Sequence, residues 1–159
     1  MTFYIARHAS AYNPNKEIYR RKPGFLLSEK GRKEAEALAL LLKENAKIRQ
    51  IFSSPLERCY MTAEIISKKN GNIPIIIKEY INEWEVGERT KDIEKRMSMV
   101  LKDAGENVLF ISHRDPILVF LNKFFPRDAG YSEQDCPPAC LYELKYNKVK
   151  KAEAIFQPR

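Results

Sequence analysis

The stretch Thr2-Phe3-Tyr4-Ile5-Ala6-Arg7-His8 (residues 2–8) is an apolar, aromatic and β-branched segment that ends in two basic residues. Its first five residues have the length and composition of a β-strand. A second apolar stretch, Asn107 to Ser112, is followed directly by His113. Because this stretch is apolar at successive positions, it is typical of a central strand in a parallel sheet. These two strands are the basis of the predicted fold.

Strand and helix patterns alternate over the rest of the chain. Further strands are predicted at 51–53, at 73–77 (an edge strand or a strand start, because of Pro74) and as a final hairpin of 141–146 and 151–156 that turns at Asn147-Lys148. Helices are predicted from Ser28 to Ala46, from a capping box at Ser54 and Glu57 to Asn70, from Ile93 to Ala104, and from Pro116 to Phe125. The alternation predicts an α/β fold, a three-layer α/β/α sandwich with a mostly parallel central sheet.

Composition limits the class of protein. The chain has 159 residues, and 28 Lys and Arg against 21 Asp and Glu give a net charge of +7. This length predicts one domain over residues 1–159. Apolar runs are far shorter than the roughly 20 residues of a membrane span, and no signal peptide is visible, so we expect a cytoplasmic protein with no membrane partner. Because the basic residues are interleaved with Glu, we do not expect nucleic-acid binding.

The two histidines of the chain occupy equivalent places in the predicted sheet. His8 and His113 each follow a strand, and in open α/β sheets ligands bind beyond the carboxyl ends of the strands. Arg7 precedes His8, and Arg58 lies near the start of the helix after strand 51–53. Two guanidinium and two imidazole groups at one edge suit a tetrahedral dianion. The alternative is that each is an ordinary structural residue.

Four segments of the chain resemble the motifs of one family, in that family's order. They are Tyr4-Ile5-Ala6-Arg7-His8-Ala9-Ser10-Ala11, Leu27-Ser28-Glu29-Lys30-Gly31-Arg32-Lys33-Glu34-Ala35, Ser53-Ser54-Pro55-Leu56-Glu57-Arg58-Cys59-Tyr60-Met61-Thr62-Ala63 and Val108-Leu109-Phe110-Ile111-Ser112-His113. The chain thereby resembles the histidine phosphatase superfamily, also called the phosphoglycerate mutase-like or RHG-motif family. Its compact size is similar to that of the small phosphatases of this family.

The resemblance implies a catalytic set. His8 would form a phosphohistidine, while Arg7, Arg58 and His113 would hold the phosphoryl oxygens. A carboxylic acid must protonate the leaving group, and Glu83 in Ile81-Asn82-Glu83 fits the family pattern best, with Glu79, Glu85 and Asp115 as alternatives. Ser10, Asn13 and Arg114 are predicted to bind substrate. The scheme needs no metal and no cofactor.

The predicted activity is therefore hydrolysis of phosphomonoesters or of phosphoprotein groups, with a small phosphorylated molecule or a phosphoprotein as partner. The alternatives are phosphoryl transfer of the phosphoglycerate mutase type and a non-catalytic phosphate- or nucleic-acid-binding module. The sequence leaves the physiological substrate and the oligomeric state open.

Several features depart from the family pattern or lie outside it. Ala9 replaces the motif glycine, which strains the loop if φ is positive there and only stiffens it if φ is negative. Arg114 replaces a glycine after the second histidine, and it either adds a third guanidinium or points outward to an acid. The loop Lys16–Lys22 shapes the pocket mouth or is simply an exposed cationic loop. Cys136 and Cys140 cannot complete a zinc site, so we interpret them as a chance pair in a Pro-rich loop, and Cys59 as an inert core residue.

Overall fold

The computed structural model describes residues 1–147 and 150–156, and these residues build a six-stranded sheet. Its strands are β1 (Thr2–Arg7), β2 (Gln50–Ser53), β3 (Ile75–Ile77), β4 (Val108–Ser112), β5 (Leu141–Tyr146) and β6 (Lys150–Phe156). Their order is β3-β2-β4-β1-β5-β6. The first four are mutually parallel, and β5 and β6 add antiparallel pairs at one side. The predicted, mostly parallel sheet is confirmed, and β3 is an edge strand.

Helices cover both faces of this sheet. They are α1 (Glu29–Asn45), α2 (Glu57–Lys69), α3 (Thr90–Met97), α4 (Met99–Asp103) and α5 (Arg114–Phe124). Alternate residues of the central strands β1 and β4 enter two separate cores, because side chains alternate across a strand. Tyr4 and Ala6 of β1 pack with α1 and α2, whereas Phe3 and Ile5 pack with α3, α4 and α5. The three-layer α/β/α prediction is confirmed, and none of the described helices is long and apolar enough to cross a membrane.

The register of β1 against β4 brings the two histidines together. The parallel pairing places Arg7 beside Ser112, so the residues that follow, His8 and His113, leave the sheet side by side. The backbone N–H of His8 also donates to the carbonyl of Ser112 at 3.1 Å. Since β1 and β4 are the central strands, this end of the sheet is held by neighbours on both sides.

The predicted capping box at Ser54 is wrong. Helix α2 begins at Glu57, and its N-cap residue, Leu56, makes no side-chain capping bond. The hydroxyl of Ser54 instead lies 2.8 Å from Nε2 of His113. The Ser-Ser-Pro segment therefore continues from β2 into the region of the two histidines before the helix starts.

The single helix predicted from Ile93 to Ala104 is also wrong, because Ser98 divides it into α3 and α4. The Ser98 hydroxyl donates to the carbonyl of Lys95 at 2.6 Å, a local bond that competes with regular helical bonding. The positive φ near the end of this segment belongs to Asn107 (62°) rather than to Gly105. The predicted hairpin of β5 and β6 is confirmed as a pair of strands, while Lys148 of its predicted turn lies outside the described residues.

Candidate active site

His8 is held by a single hydrogen bond that fixes its tautomer. Its Nδ1 lies 2.7 Å from the carbonyl oxygen of Ala9, and its ring is 1% exposed. Because a carbonyl oxygen only accepts, Nδ1 carries the hydrogen and Nε2 carries a lone pair. Burial, and then the positive charge of Arg7, lower the pKa of His8 well below its ordinary value. The imidazole is therefore neutral near pH 7, as a nucleophile requires.

His113 lies beside His8, with ring centroids 5.3 Å apart and ring planes at 62°. Its Nε2 pairs with the Ser54 hydroxyl, and its Nδ1 lies 3.3 Å from Oε2 of Glu83. Burial and the charge of Arg58 lower the pKa of His113 well below its ordinary value. These shifts favour the neutral form of both rings, and the two partners fix the orientation of His113.

Arg58 is the second residue of α2, and its side chain is buried beside Glu83. Its Nη2 lies 3.4 Å from Oε2 of Glu83 and donates to the carbonyl of Arg20 at 2.9 Å. The guanidinium also lies over the ring of Tyr19, with its carbon 5.0 Å from the ring centroid. Arg58 therefore links the helix to residues 12–27, which connect the start of the chain to α1.

Three buried nitrogens identify where a ligand belongs. In the part of the chain that the structure describes, the buried side-chain N and O atoms with no hydrogen-bond partner are Nε of Arg7, Nε2 of His8 and Nε of Arg58. Arg7 uses another nitrogen, Nη1, to donate to the carbonyl of Cys136 at 2.9 Å. A buried donor without a partner costs about 1–3 kcal/mol, and more when it is charged. Two guanidinium donors beside a neutral imidazole nitrogen suit an oxyanion.

Glu83 is the buried carboxyl group of the site. It is 5% exposed, and its Oε1 accepts from the backbone N–H of Trp84 at 3.0 Å. Burial raises its pKa above the ordinary value, although the Trp84 N–H and Arg58 act in the opposite direction. Of the other predicted candidates, Glu85 pairs with Arg21, Glu79 accepts from the side-chain amide of Asn82 at 3.3 Å, and Asp115 pairs with Arg114. Asp115 and Glu83 line the same cavity.

A cavity of about 370 Å³ opens beside these groups. Its lining consists of Arg7, Glu17, Ile18, Tyr19, Arg20, Glu83, Trp84, Arg114 and Asp115. The ring of Tyr19 meets His8 edge-on, with centroids 5.7 Å apart, and the guanidinium of Arg20 lies 5.7 Å from the centroid of the Trp84 ring. The loop Lys16–Lys22 thus contributes to the wall of the cavity, as one of the two sequence interpretations expects.

Comparison with known proteins agrees with this geometry. The model of the histidine phosphatase superfamily (branch 1) matches residues 3–96, which include Arg7, His8, Arg58 and Glu83. The chain belongs to the histidine phosphatase superfamily.

Relatives of this superfamily member match over nearly its full length. The uncharacterized protein Rv0525 of Mycobacterium tuberculosis (strain ATCC 25618 / H37Rv) is 36% identical and covers 96% of this chain and 94% of its own. Phosphoglycerate mutase from Bacillus anthracis str. Sterne has a TM-score of 0.81 at 17% identity, with 98% and 92% covered. The protein histidine phosphatase SixA complexed with tungstate has a TM-score of 0.67 at 17% identity, with 98% and 95% covered. The two solved structures share the fold.

Of the three predicted substrate-binding residues, Arg114 lines the cavity, whereas Ser10 and Asn13 do not. Arg114 lines the cavity but is paired with Asp115 at 3.0 Å and with Glu133 at 3.3 Å, so its charge is largely compensated. The two polar atoms of the Asn13 amide bond to the backbone of Glu17. Asn13 is absent from the cavity lining, but so are His8, Arg58 and His113, and its contact with substrate stays a prediction.

Ser10, the third predicted substrate-binding residue, joins the histidine loop to α1 instead. Its carbonyl accepts from the backbone N–H of Ser28 at 3.0 Å and lies 3.2 Å from the hydroxyl of the same residue. Ser10 is also outside the cavity lining. Its contacts support the position of the loop that carries His8, and its contact with substrate stays a prediction.

Ala9 fits its place without backbone strain, because its φ is not in the positive range. Of the two alternatives for alanine in place of the superfamily's glycine, the one that predicts a strained loop is therefore wrong. The N–H of Ala9 donates to Oγ1 of Thr62 at 3.1 Å, and Thr62 in turn donates to the carbonyl of Arg58 at 2.8 Å. Thr62 thus connects the loop of His8 to helix α2.

Sequence reasoning missed the contribution of the Cys136–Cys140 segment. The carbonyl of Cys136 accepts from Arg7, the N–H of Ala139 donates to the carbonyl of His8 at 3.0 Å, and the carbonyl of Cys140 accepts from the backbone of Arg7 at 3.1 Å. The two thiols are buried and 3.4 Å apart. The segment supports the loop that carries His8 and is not an unrelated surface loop. Cys59 is buried in the core, as predicted, but it also lies 3.5 Å from Nε2 of His113.

Proposed function

We propose that this protein is a metal-independent phosphatase that hydrolyses phosphomonoesters through a phosphohistidine on His8. The observation that supports it is the neutral, unpartnered Nε2 of His8 beside two guanidinium nitrogens that also have no partner. These groups supply a nucleophile and the positive charge that a phosphoryl group needs. We propose residues 1–159 as one catalytic domain.

In the first step, Nε2 of His8 attacks the phosphorus in line with the leaving oxygen. The N–P bond forms as the P–O bond to the leaving group breaks, and Arg7, Arg58 and His113 hold the three remaining oxygens. Glu83 gives its proton to the leaving oxygen. Its raised pKa favours the protonated form that this step needs.

In the second step, water hydrolyses the phosphohistidine. The Glu83 carboxylate left by the first step takes a proton from the attacking water, the N–P bond breaks, and inorganic phosphate leaves. Glu83 is then protonated again and His8 is neutral again. Each group returns to its starting state, so the cycle consumes only substrate and water.

The lining of the cavity supports a small phosphorylated molecule or the side chain of a phosphoprotein as substrate. Tyr19 and Trp84 offer aromatic walls, while Arg20 adds a cation at the mouth. SixA, which shares the fold, is named as a protein histidine phosphatase. Within residues 1–147 and 150–156, no group of three or more His, Cys, Asp or Glu side chains is arranged to hold a metal ion.

The test is hydrolysis of p-nitrophenyl phosphate in the presence of EDTA, with the His8→Ala variant. Loss of the nucleophile should lower kcat by on the order of 10³-fold or more. Brief incubation with a ³²P-labelled substrate should leave an acid-labile label on the wild-type protein and none on His8→Ala. Undiminished hydrolysis by His8→Ala would refute the assignment.

A panel of sugar phosphates, nucleotides, phosphoamino acids and a phosphohistidine peptide then defines the substrate class. Fast conversion of 3-phosphoglycerate to 2-phosphoglycerate with trace 2,3-bisphosphoglycerate would show a mutase and overturn hydrolysis as the main activity. Phosphate binding without turnover of any substrate would show a binding module instead.

A further inference from the structure

We propose that Arg96 is a positioning residue that holds the general acid Glu83 in place, an inference that rests on the proposed function. Arg96 lies in α3, on the opposite face of the sheet from α1 and α2, and its side chain is 15% exposed. It is absent from the cavity lining, and none of its contacts reaches either histidine ring or Arg58. Its hydrogen bonds would act on the reaction through Glu83, while its charge adds to burial, Arg58 and Arg7 in lowering the pKa of His113.

All the hydrogen bonds that the Arg96 guanidinium donates go to residues 80–88. Its Nη1 donates to the carbonyls of Tyr80 at 2.9 Å and Asn82 at 2.8 Å. Its Nη2 donates to the carbonyl of Glu83 at 3.3 Å and to Oε2 of Glu88 at 3.0 Å, and its Nε donates to Oε1 of Glu88 at 2.7 Å. An arginine has five N–H donors, and all five are used here.

Residues 82–88 belong to no helix or strand, so side-chain contacts such as those of Arg96 fix their position. A short 3₁₀ helix ends at Ile81, and α3 begins at Thr90. Between these elements the carbonyls of Asn82 and Glu83 both point to the Arg96 guanidinium. The two carboxylate oxygens of Glu88 each accept from one nitrogen of the same guanidinium, which is the bidentate geometry that arginine favours.

Two further observations support this role. Burial alone would raise the pKa of Glu88, yet the hydrogen bonds led by Arg96 lower it below its ordinary value, so the pair stays charged. Arg21 also donates to the Glu83 carbonyl, at 2.7 Å, but it comes from the loop of residues 12–27. Arg96 is therefore the guanidinium that ties the Glu83 backbone to a helix.

Loss of these bonds should disturb the acid without touching the nucleophile. The carbonyls of residues 80 and 82 would lose this donor, and that of Glu83 would keep only Arg21, which comes from a loop. The Glu83 carboxyl would then leave its place 3.3 Å from His113 and 3.4 Å from Arg58. A displacement of about 1 Å can cost about 10²-fold in rate. The loss should appear where the leaving group needs a proton, because a good leaving group departs without one.

The experiment compares kcat/KM for two substrates, glycerol phosphate with a poor leaving group and p-nitrophenyl phosphate with a good one. Arg96→Met should lower kcat/KM for glycerol phosphate about 10- to 100-fold and that for p-nitrophenyl phosphate by less than about 3-fold. Glu83→Gln should show the same selectivity, and the double variant should lose no more than Glu83→Gln alone. Lys95→Met, an exposed neighbour in the same helix that removes the same charge, should match wild type on both substrates.

The outcomes separate this inference from the proposed function. If Glu83→Gln affects both substrates equally, Glu83 is not the acid, and the inference is refuted together with that part of the proposed function. If Glu83→Gln is selective but Arg96→Met is not, only the inference is refuted. If circular dichroism shows that Arg96→Met does not fold, Arg96→Lys replaces it. Lysine keeps the positive charge but cannot make the bidentate guanidinium contacts, and the same comparison of kcat/KM for the two substrates decides the question.

Discussion

At the residue scale, the site collects positive charge that the fold alone does not neutralise. Arg7 and Arg58 lie beside two histidines, and each histidine is pushed toward its neutral form by burial and by those charges. A dianion bound at this site would neutralise the positive charge of the two arginines. In the proposed function, this arrangement would keep His8 nucleophilic before substrate binds and would give a bound phosphoryl group two permanent cations.

The buried histidines should make the protein less stable in mild acid. The ordinary pKa of a histidine is 6.5, and that of His8 is lowered in the fold. Below pH 6.5 the unfolded state therefore binds more protons, and the free energy of unfolding falls as pH falls, by up to about 1.4 kcal/mol per pH unit for each such histidine. Urea unfolding between pH 7.5 and pH 5.0 measures this slope.

The His8→Asn variant isolates one histidine in that measurement. Asparagine keeps a polar side chain but does not titrate, so the slope below pH 6.5 should fall by up to about 1.4 kcal/mol per pH unit. The raised pKa of Glu83 acts with the opposite sign, because it binds its proton more readily in the folded state, but it is common to both proteins. Equal slopes for wild type and His8→Asn would contradict the lowered pKa.

The residues proposed to contact substrate are easier to predict from the sequence than the residues that hold those side chains in place. Arg7, His8, Arg58 and His113 were brought to one edge by strand ends alone, and the structure places them together with Glu83. Ser54 was instead assigned to a helix cap, because its local pattern satisfies that rule equally well. Arg96 gave no signal, since an arginine in an amphipathic helix is usually a solvated residue.

At the element scale, α1 approaches the loop of His8 so closely that one position must be glycine. A Cβ built on Gly31 would lie 1.9 Å from the backbone oxygen of Ser10. Ser28, the N-cap of α1, contacts the same oxygen. The motif glycine of the first helix is therefore explained by contact with the backbone two residues after the nucleophile.

Gly31→Ala should destabilise the protein, although alanine favours a helix over glycine by about 1 kcal/mol. The clash is with backbone, which cannot rotate away, so we expect a loss of about 1–3 kcal/mol in the free energy of unfolding and a lower kcat. Gly105→Ala is the matched control, because its added carbon would meet Val108 at an ordinary 3.5 Å. Urea unfolding of both variants checks this, and a Gly31→Ala protein as stable as wild type would contradict it.

The sequence predicts those helices and strands whose apolar residues follow a regular spacing. The apolar runs of β1 and β4 and the spacing of Leu38 and Leu42 in α1 follow from burial on one or two faces, and the structure confirms them. The break at Ser98 was missed, because the apolar spacing continues across it. The contact of residues 136–140 with the site was also missed. It depends on β5 joining β1 antiparallel, a pairing that local sequence does not encode.

At the scale of the whole molecule, the chain carries a net charge of +7 and buries two of its basic side chains, Arg7 and Arg58, at the site. Burial of Arg7 and Arg58 without a full set of partners opposes folding, while the two cores on either side of the sheet stabilise it. The sequence predicts the excess of basic residues but not which of them are buried. An anion at the site should therefore stabilise the complete fold and not only a loop.

Inorganic phosphate or tungstate should raise the free energy of unfolding of the wild-type protein. An anion that binds only the folded state contributes about 2.7 kcal/mol at 100 times its Kd, and removal of the anion by dialysis should reverse the gain. Arg58→Met should lose most of this response, because it removes a buried cation of the site. Arg32→Met, an exposed arginine of α1, should respond as wild type does. Thermal unfolding at constant ionic strength with chloride as reference measures the effect, and equal responses to chloride and phosphate would show charge screening in place of a specific oxyanion site.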